Sequence, residues 1–362
     1  MTRCILFYKD ARRDDTLEAV VDRECAAGRM ELVGVSAPER GNIPAARREC
    51  AYIPPEELKS AAFDYVIVSE LSGDARRDAA RSGLKRRLPP FLLKAYRRLS
   101  ALLLSRASLR RWRNYRGWGK PIERRPDMVF PEYSPLGEWG IAAEKTIPAR
   151  TLSVPGFRTD EYAELRAKGI TIVSDNCWGG LAYHTLGMEM QSPFINMFLN
   201  TEDFVKLIAD LPHYMSLPLV PEKLCVRKRR AKAFPFVMLG DVRLCFNHVF
   251  TPEMLETYAE KWYRRRERMD LENILVESCF GDRAEQEKFG AAFAACPYPT
   301  LLFSAFPDER YVYLSAFEEN AARYKGDFAE CTRDCAKNEY PGRLPFDFLQ
   351  TFLTRQAKAP KE

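Results

Sequence analysis

A run of polar side chains directly follows a short apolar stretch near the middle of the sequence. Ile170–Val173 are apolar, and Ser174–Gly180 follow them with the letters S-D-N-C-W-G-G. Because open parallel sheets bind ligands outside the carboxyl ends of their strands, this position is typical of a binding crevice. Polar groups can hydrogen-bond a ligand, an indole can stack on a sugar face or a base, and glycines permit close backbone approach. We therefore interpret the segment as a substrate-binding site formed by Ser174, Asp175, Asn176, Cys177 and Trp178.

The same residue types also fit a purely structural role. A tight turn with a buried, hydrogen-bonded Asn176 and a Trp178 packed in the core has this composition. Both interpretations are open on the residue chemistry alone.

A second group of candidate residues lies on one predicted helix, Pro252–Met269. Lys261, Arg265 and Arg268 recur at spacings of four and three, so they share a helix face and can hold a phosphate or diphosphate. A solvated charged face is the alternative for such a run. Just before this helix, His248 closes a predicted strand, where a histidine acts either as a general base or as a structural hydrogen-bonding residue.

Several kinds of chemistry are excluded by what the sequence lacks. The three histidines and ten cysteines are scattered without metal-ligand spacing or any C-x-x-C, so we predict no metal site and no disulfide scaffold. There is no P-loop, no G-x-S-x-G and no Asp-x-Asp. The loop after the first predicted strand, Lys9–Arg13, contains no glycine, whereas a dinucleotide pyrophosphate needs glycines there. We therefore predict neither NAD nor FAD, and no other cofactor.

Alternating predicted strands and helices surround these residues and must position them. Residues 1–72 alternate three strands with helical segments, which is typical of a parallel sheet with right-handed crossovers. Residues 169–307 form a second unit, with a predicted strand at Phe194–Leu199 and a hairpin turn at Gly240-Asp241. We predict an α/β fold of two Rossmann-like three-layer units. The N-terminal sheet is mostly parallel, and the C-terminal sheet is mixed and includes the hairpin.

Three further segments complete the predicted domain organisation. Residues 73–125 form a basic helical insert that joins the two units, residues 126–168 a proline-rich irregular connection, and residues 308–362 a helical C-terminal tail. Between Arg76 and Arg125 the insert carries 17 Lys or Arg against two acids, and Pro90–Tyr115 has the apolar spacing of an amphipathic helix. Charge concentrated in this way favours an anionic partner.

The predicted helix of the insert has two interpretations. Its apolar stripe either packs on the protein or lies on an anionic membrane surface through residues 90–118, with Trp112, Tyr115 and Trp118 at headgroup depth. No standard DNA- or RNA-binding motif is present, so we predict no specific nucleic-acid partner. Because the sequence shows no membrane-spanning stretch and no signal peptide, we expect a cytoplasmic protein, peripheral at the inner face of the cell membrane under the second interpretation.

The order of several rare sequence blocks is similar to one bacterial family. The S-D-N-C-W-G-G block and Tyr183 precede L-G-M-E-M-Q-S-P-F-I-N-M-F at Leu186–Phe198, L-G-D-V and F-N-H-V within Leu239–Val249, and E-K-W-Y-R-R-R at Glu260–Arg266. Over about Gly169–Pro307 this pattern resembles the bacterial domain of unknown function nineteen-nineteen, whose members are often labelled exopolysaccharide biosynthesis proteins. The N-terminal unit likewise resembles small Rossmann-like units of polysaccharide-pathway proteins. The resemblance implies a polysaccharide pathway and includes Tyr183 among the candidate substrate-binding residues.

Two functional hypotheses follow. The first is a transferase of surface-polysaccharide biosynthesis that acts on a phosphorylated or nucleotide-linked sugar at the cytoplasmic membrane face. Its residues are His248 as base, Asn176, Trp178 and Tyr183 for the sugar or acceptor, and Lys261 and Arg265 for the phosphates. The alternative is a non-catalytic adaptor of the same pathway that binds a glycan or a lipid-linked precursor. The lack of a recognised catalytic motif favours this second hypothesis.

Vesicle flotation tests the membrane interpretation of the basic insert. We expect the full chain to float with vesicles that contain phosphatidylserine, because each Lys or Arg near an anionic surface contributes about 1 kcal/mol of attraction. A variant with Lys94, Arg97 and Arg98 replaced by Gln should remain at the bottom of the gradient. Equal recovery with neutral phosphatidylcholine vesicles would contradict membrane binding and favour the packed helix.

Overall fold

A computed structural model describes residues 1–8, 15–69, 109–128, 130, 134–227, 232–341 and 344–356. In these residues the protein has a mixed α/β structure, with two four-stranded parallel sheets and one three-stranded antiparallel sheet. The α/β class predicted from the sequence is confirmed. Residues 90–108 of the predicted insert helix lie outside the described residues.

The first sheet is parallel and belongs to the N-terminal unit. Its strands are β1 Thr2–Tyr8, β2 Met30–Ser36, β3 Tyr65–Ser69 and β4 Thr146–Pro148. They pair in the order β2-β1-β3-β4, so the predicted parallel N-terminal sheet is confirmed. The fourth strand comes from the far side of the basic insert and was not expected.

Seven further strands follow in the described residues of the C-terminal half. They are β5 Thr171–Ser174, β6 Leu219–Arg227, β7 Lys232–Leu239, β8 Val242–Cys245, β9 Ile274–Phe280, β10 Thr300–Ser304 and β11 Val312–Tyr313. A parallel sheet has the order β11-β10-β9-β5, and a separate antiparallel sheet has the order β6-β7-β8. The predicted hairpin is confirmed, with Gly240 at a positive φ of 62° in its turn.

The prediction of one mixed C-terminal sheet is wrong, because the hairpin does not pair with the parallel strands. One edge of the antiparallel sheet bonds to the last residues of the insert, where the Ile122 N–H donates to the Leu219 carbonyl at 2.8 Å. At the other edge, Cys245 of β8 pairs with Phe198 in an isolated antiparallel β-bridge. The predicted strand at Phe194–Leu199 is therefore also wrong, since the structure contains only this bridge there.

The helices of the described residues lie between these strands. They are α1 Asp15–Ala26, α2 Ala149–Leu152, α3 Thr159–Lys168, α4 Trp178–Leu186, α5 Thr201–Ala209, α6 Leu211–Ser216, α7 Pro252–Glu267, α8 Arg283–Ala294, α9 Ala316–Glu319, α10 Ala321–Tyr324, α11 Phe328–Ala336 and α12 Phe348–Thr354. Helix α7 begins where the sequence predicts, because Thr251 caps it by accepting from the Met254 N–H at 3.3 Å and Pro252 suits its first turn.

The segment 126–168 differs from the irregular connection that we predicted. It supplies β4 to the N-terminal sheet and contains the ten-residue helix α3, which ends at Gly169. The C-terminal tail is helical as expected at α9, α10 and α12, and it also contains α11 and the short edge strand β11.

Alternate side chains of both parallel sheets enter one shared apolar cluster. Leu6 and Ile67 from the first sheet and Ile172 and Phe303 from the second belong to it. The opposite faces are covered separately, the first by a small cluster around Leu58 and Leu136, the second by residues of α5, α7, α8 and the hairpin. Because both faces of each sheet are buried, each unit has three layers.

The end of the basic insert packs on the protein. Trp112 is only 2% exposed, and its indole N–H donates to the Phe250 carbonyl at 3.0 Å. The rings of Tyr115 and Trp118 lie 5.4 and 5.5 Å from the Trp112 ring and contact the core of the C-terminal unit. For Trp112, the expectation of an aromatic at headgroup depth is therefore wrong. In the part of the chain that the structure describes, no helix is long and apolar enough to cross a bilayer.

A buried carboxylate joins the N-terminal unit to helix α3. Glu24 on α1 accepts from Arg29 at 2.8 and 2.9 Å and from the backbone N–H of Thr159 at the start of α3 at 3.0 Å. Burial acts to raise its pKa, but the hydrogen bonds from Arg29 and Thr159 outweigh this and hold the pKa of Glu24 below its usual range.

We expect Glu24→Ala to lower the free energy of unfolding by about 3 to 5 kcal/mol, because it leaves Arg29 without its buried partner. Urea denaturation at neutral pH measures this loss. Glu31→Ala is the matched control, since its ion pair with Arg3 is 3.5 Å long and exposed and should cost less than about 1 kcal/mol. Equal losses in the two variants would contradict a structural role for Glu24.

Candidate functional site

Two carboxyl groups meet where the central strands of the C-terminal parallel sheet end. Ser174 at the end of β5 stands opposite Glu277 of β9 in the register, and its hydroxyl donates to Glu277 Oε2 at 2.5 Å. Asp175 follows Ser174 and accepts from the Ser278 hydroxyl at 2.6 Å. We call Asp175 and Glu277 the acid pair.

Asn176 holds the acid pair together. Its amide nitrogen donates to Asp175 Oδ1 at 2.8 Å and approaches Glu277 Oε1 at 3.4 Å, while its Oδ1 accepts from the Trp178 N–H at 2.6 Å. Ser174, Asp175 and Asn176 are thus brought together as the sequence predicts, and Asn176 also fixes the start of α4. Their partner Glu277 was missed, although a glutamate inside an otherwise apolar strand was a detectable signal.

Burial changes the charge state of the acid pair. Asp175 is 7% exposed and Glu277 is fully buried. Loss of hydration raises the pKa of Asp175 to about 7 and, together with the nearby Asp175 charge, raises the pKa of Glu277 well above its usual value. Two like charges this close disfavour double ionisation, so the pair is suited to hold a proton near neutral pH.

Cys177 and His248 lie beside the acid pair. Cys177 Sγ is 3.8 Å from His248 Nε2, and His248 is exposed. The structure therefore brings the predicted base to the strand-end residues. We call the group formed by the acid pair, Asn176, Cys177 and His248 the strand-end site.

Trp178 and Tyr183 are both buried and pack α4 onto β5. Trp178 is fully buried and packs 5.5 Å from the Phe303 ring, and the buried Tyr183 hydroxyl donates to the Ile170 carbonyl at 2.6 Å and accepts from the Ile172 N–H at 2.9 Å. The predicted contact of Trp178 with a sugar is wrong, because its side chain is consumed in packing α4 onto β5. Tyr183 also lines the cavity that contains Lys261 and Arg265, so its contact with a ligand stays a prediction.

Gly179 and Gly180 serve the same packing. They lie inside α4, and an added Cβ would come within 3.0 Å of the Ile172 side chain or 3.1 Å of the Ile195 side chain. They lie in a helix and not in the loop that we expected, and the lack of a Cβ at both positions lets the helix approach the strand.

A pocket of about 620 Å³ lies beside the edge strand β4, where the two units meet. It is strongly basic, and we call it the basic pocket. Its charged or titratable lining residues are Arg150, Arg166, Tyr183, His184, Lys261, Arg264, Arg265, Arg268, Glu144 and Glu189. Phe130, Pro148, Met188 and Met190 form an apolar part of the wall. Lys261 and Arg265 thus line one cavity together, as their helical spacing predicted.

Three cations of the basic pocket have no acidic partner in the described residues. The Arg265 guanidinium contacts Met190 Sδ at 3.5 Å, and burial lowers its pKa. Arg166 donates to the Thr146 carbonyl at 2.9 Å, and Lys261 Nζ lies 4.9 Å from the centre of the Phe130 ring. Within the described ranges, no carboxylate lies within ion-pair distance of these three side chains.

The other two basic residues of α7 that line the pocket are neutralised. Arg264 forms an ion pair with Glu260 at 2.9 Å, and these two residues are four positions apart on the helix. Arg268 pairs with Glu189. Glu260 is buried and also accepts from the Arg125 N–H at 2.6 Å, which connects α7 to the end of the insert. Arg166, Lys261 and Arg265 therefore each contribute attraction for an anion, and sequence reasoning missed Arg166.

The predicted site residues are thus divided between two places. Lys261 lies nine residues into α7, about 14 Å along the helix axis from its first residue, whereas His248 precedes that helix. His248 does not line the basic pocket. Burial raises the pKa of Tyr258 on α7, while Arg265 lowers this pKa and Cys177 raises it. Among the described residues, no cluster of three or more His, Cys, Asp or Glu side chains is arranged to hold a metal ion.

The fold and the site define an α/β protein with a strand-end acid pair and a separate basic pocket. Residues 149–333, just over half of the chain, match the model of the family described as Domain of unknown function (DUF1919), and the chain belongs to this family. The match includes the strand-end site and all three unneutralised cations of the basic pocket. An uncharacterized protein of Haemophilus influenzae is 26% identical over 199 residues, which cover 52% of this chain and 86% of that protein.

The acid pair predicts an unusual pH dependence of stability. A carboxyl whose folded-state pKa is raised binds its proton more tightly in the folded protein, so its contribution to stability is present at low pH and is lost as pH rises towards the folded pKa. We expect Glu277→Gln to reduce the fall in unfolding free energy between pH 5 and pH 7, which amounts to about 1.4 kcal/mol per pH unit for each proton involved.

Urea unfolding at several pH values measures this slope. Glu287→Gln, an exposed position on α8, should leave it unchanged. A Glu277→Gln variant with the wild-type slope would show that the acid pair does not hold the proton.

Proposed function

We propose that the protein binds a phosphorylated or nucleotide-linked sugar in the basic pocket and acts as a transferase of surface-polysaccharide biosynthesis. The observation that carries the proposal is the convergence of Arg166, Lys261 and Arg265 on one cavity without acidic partners in the described residues. Because desolvated cations are costly unless they are paired, this arrangement favours an anionic ligand that supplies the missing charge.

Each cation suits a different part of such a ligand. The planar guanidinium of Arg265 is largely buried and can bind two oxygens of one phosphate. Arg166 is held by the Thr146 carbonyl and the Tyr162 hydroxyl, at 2.9 and 3.0 Å, so its remaining donors have a fixed direction. The more exposed Lys261 adds a flexible point charge at the rim. Together they match a diphosphate better than a single carboxylate.

The apolar wall supports an organic group attached to the phosphates. Met188, Met190 and Pro148 line the cavity together with the charged helix, and the Phe130 ring is shared by Lys261 and Arg264 at 4.9 and 4.8 Å. Thioethers and an aromatic ring adapt to the faces of a sugar or a base. A volume of about 620 Å³ is within the range of small-molecule sites.

A second candidate function is a non-catalytic adaptor of the same pathway that holds a precursor or glycan. The separation of His248 from the basic pocket favours it, because the base of the transferase scheme does not reach a ligand bound at Lys261 and Arg265. The histidine that does line the pocket is His184. A transferase in this cavity would therefore use His184 in place of His248.

The cellular setting is part of the proposal. A cytoplasmic location at the inner membrane face, with the basic insert on anionic lipid, would bring the pocket to lipid-linked acceptors. This proposed location is supported by the charge of the insert, because residues Arg76 to Arg125 include 17 basic and only two acidic residues.

Calorimetry with inorganic pyrophosphate tests the anion site directly, since every diphosphate-linked sugar contains this group. We expect Arg265→Ala to weaken binding by about 10-fold or more, because a charge-assisted hydrogen bond contributes about 1.5 to 3 kcal/mol. Lys261→Ala should have a smaller effect at its exposed position. Arg265→Lys should recover only part of the affinity, since it keeps the charge but loses the planar donors.

Lys288→Ala is the matched control for Lys261→Ala. Lys288 is also exposed on a helix and lies 4.7 Å from an aromatic ring, that of Phe289, but it is not part of the pocket. Pyrophosphate affinity that is the same in the Arg265→Ala and Lys288→Ala variants would refute the anion site. Binding without turnover of UDP-glucose or related donors would favour the adaptor.

A further inference from the structure

We infer that Cys177 and His248 form a nucleophile–base pair that transfers an acyl group at the strand-end site. This inference goes beyond the proposed function, because it concerns another place in the molecule and needs no ligand in the basic pocket. The ligand class is an ester or thioester of a carboxylic acid.

The first observation is the geometry of the pair. Cys177 lies in the turn between β5 and α4, and its Sγ is 3.8 Å from His248 Nε2, close to hydrogen-bonding distance for sulfur. His248 is exposed and Cys177 is partly exposed, so a substrate can reach both. A nucleophile and a base within reach of each other, at the carboxyl end of a parallel strand, are the two parts that covalent acyl transfer requires.

The second observation is a pair of buried backbone donors next to Cys177. The Trp178 N–H donates to Asn176 Oδ1 and the Leu181 N–H to the Cys177 carbonyl. Gly179 and Gly180 lie between them in the first turn of α4, where N–H groups have no partner inside the helix. Both are buried, and their N–H groups have no acceptor within the described residues. Buried N–H groups without an acceptor are rare, and here they point to the oxyanion of a ligand.

The charges around Cys177 favour an acyl substrate over a phosphoryl one. Burial raises the pKa of the Cys177 thiol, and the neighbouring Glu277 raises it further, against a lowering effect of Arg333. The thiol is therefore protonated at rest and needs a base, which His248 supplies. The same carboxyl groups would repel a phosphate dianion but not an uncharged ester.

The proposed step moves one proton and one acyl group. His248 Nε2 takes the Sγ proton as sulfur forms a bond to the carbonyl carbon, and the carbonyl electron pair moves to oxygen. Gly179 and Gly180 then donate to this oxyanion. Collapse breaks the bond from carbon to the leaving oxygen or sulfur, which receives the proton from the imidazolium. Water or a sugar hydroxyl releases the acyl group from Cys177 by the same steps in reverse and restores the thiol.

Asn176 is a positioning residue in this scheme. It contacts the acid pair through its amide nitrogen and the Trp178 N–H through its oxygen, so it fixes the turn that carries Cys177. The acid pair thereby supports the nucleophile without touching the substrate.

The experiment uses 4-nitrophenyl acetate as the acyl donor and the full chain as the enzyme. We expect a burst of about one equivalent of 4-nitrophenol per chain, and peptide mass spectrometry should locate one acetyl group on Cys177. Cys177→Ala should abolish the burst, and His248→Gln should slow it by at least about 100-fold, the usual contribution of a general base. Cys225→Ala, at a partly exposed cysteine of the hairpin sheet, should retain the full burst.

The wild-type chain contains its own internal standard. Cys25, Cys50, Cys225 and Cys296 are also partly exposed, so their acetylation rates show how ordinary thiols of this protein react. Acetylation of Cys177 at the same rate as these four, or an unchanged rate in folded His248→Gln, would overturn the inference. Because 4-nitrophenyl acetate carries no phosphate, this outcome is independent of whether the basic pocket binds pyrophosphate.

Discussion

The structure depends on one apolar core shared by two parallel sheets. Leu6 and Ile67 of the first sheet and Ile172 and Phe303 of the second lie in the same buried cluster, and α3 and α4 are packed into it. Because burial of apolar surface is the main force that stabilises such a core, the two sheets cannot separate without exposing it. Their relative position sets the basic pocket, and α4 sets the strand-end site, so both places follow from this packing.

Helix α4 connects the two candidate sites through its charge as well as its position. Its amino end carries the partial positive charge of the helix dipole and begins at Cys177, beside the acid pair. Its carboxyl end carries the partial negative charge and reaches His184 and Gly187, which line the basic pocket. Each end therefore faces charges of the opposite sign. We therefore propose that acyl transfer takes place at the amino end of α4 and anion binding at its carboxyl end.

Some site residues could be predicted from their spacing in the sequence, and others could not. Lys261 and Arg265 share a face because they are four residues apart on a helix, so their meeting in one cavity was predictable. Ser174, Asp175 and Asn176 were predictable because strand ends form crevices. The buried position of Trp178 was not, since an aromatic side chain near a strand end fits a ligand platform and a core equally well. Glu277 lies about a hundred residues beyond Asp175, and only strand pairing brings it there.

The sequence by itself determined the α/β class, the parallel N-terminal sheet, the hairpin, the family pattern and the candidate polar and basic positions, because these depend on local periodicity, turn residues and rare blocks in order. Only the tertiary structure decided that β4 completes the first sheet, that the hairpin forms its own sheet, and that His248 joins Cys177 rather than Lys261. It also decided which cations lack acidic partners among the described residues. These outcomes depend on contacts between residues far apart in the chain, and no local pattern encodes such contacts.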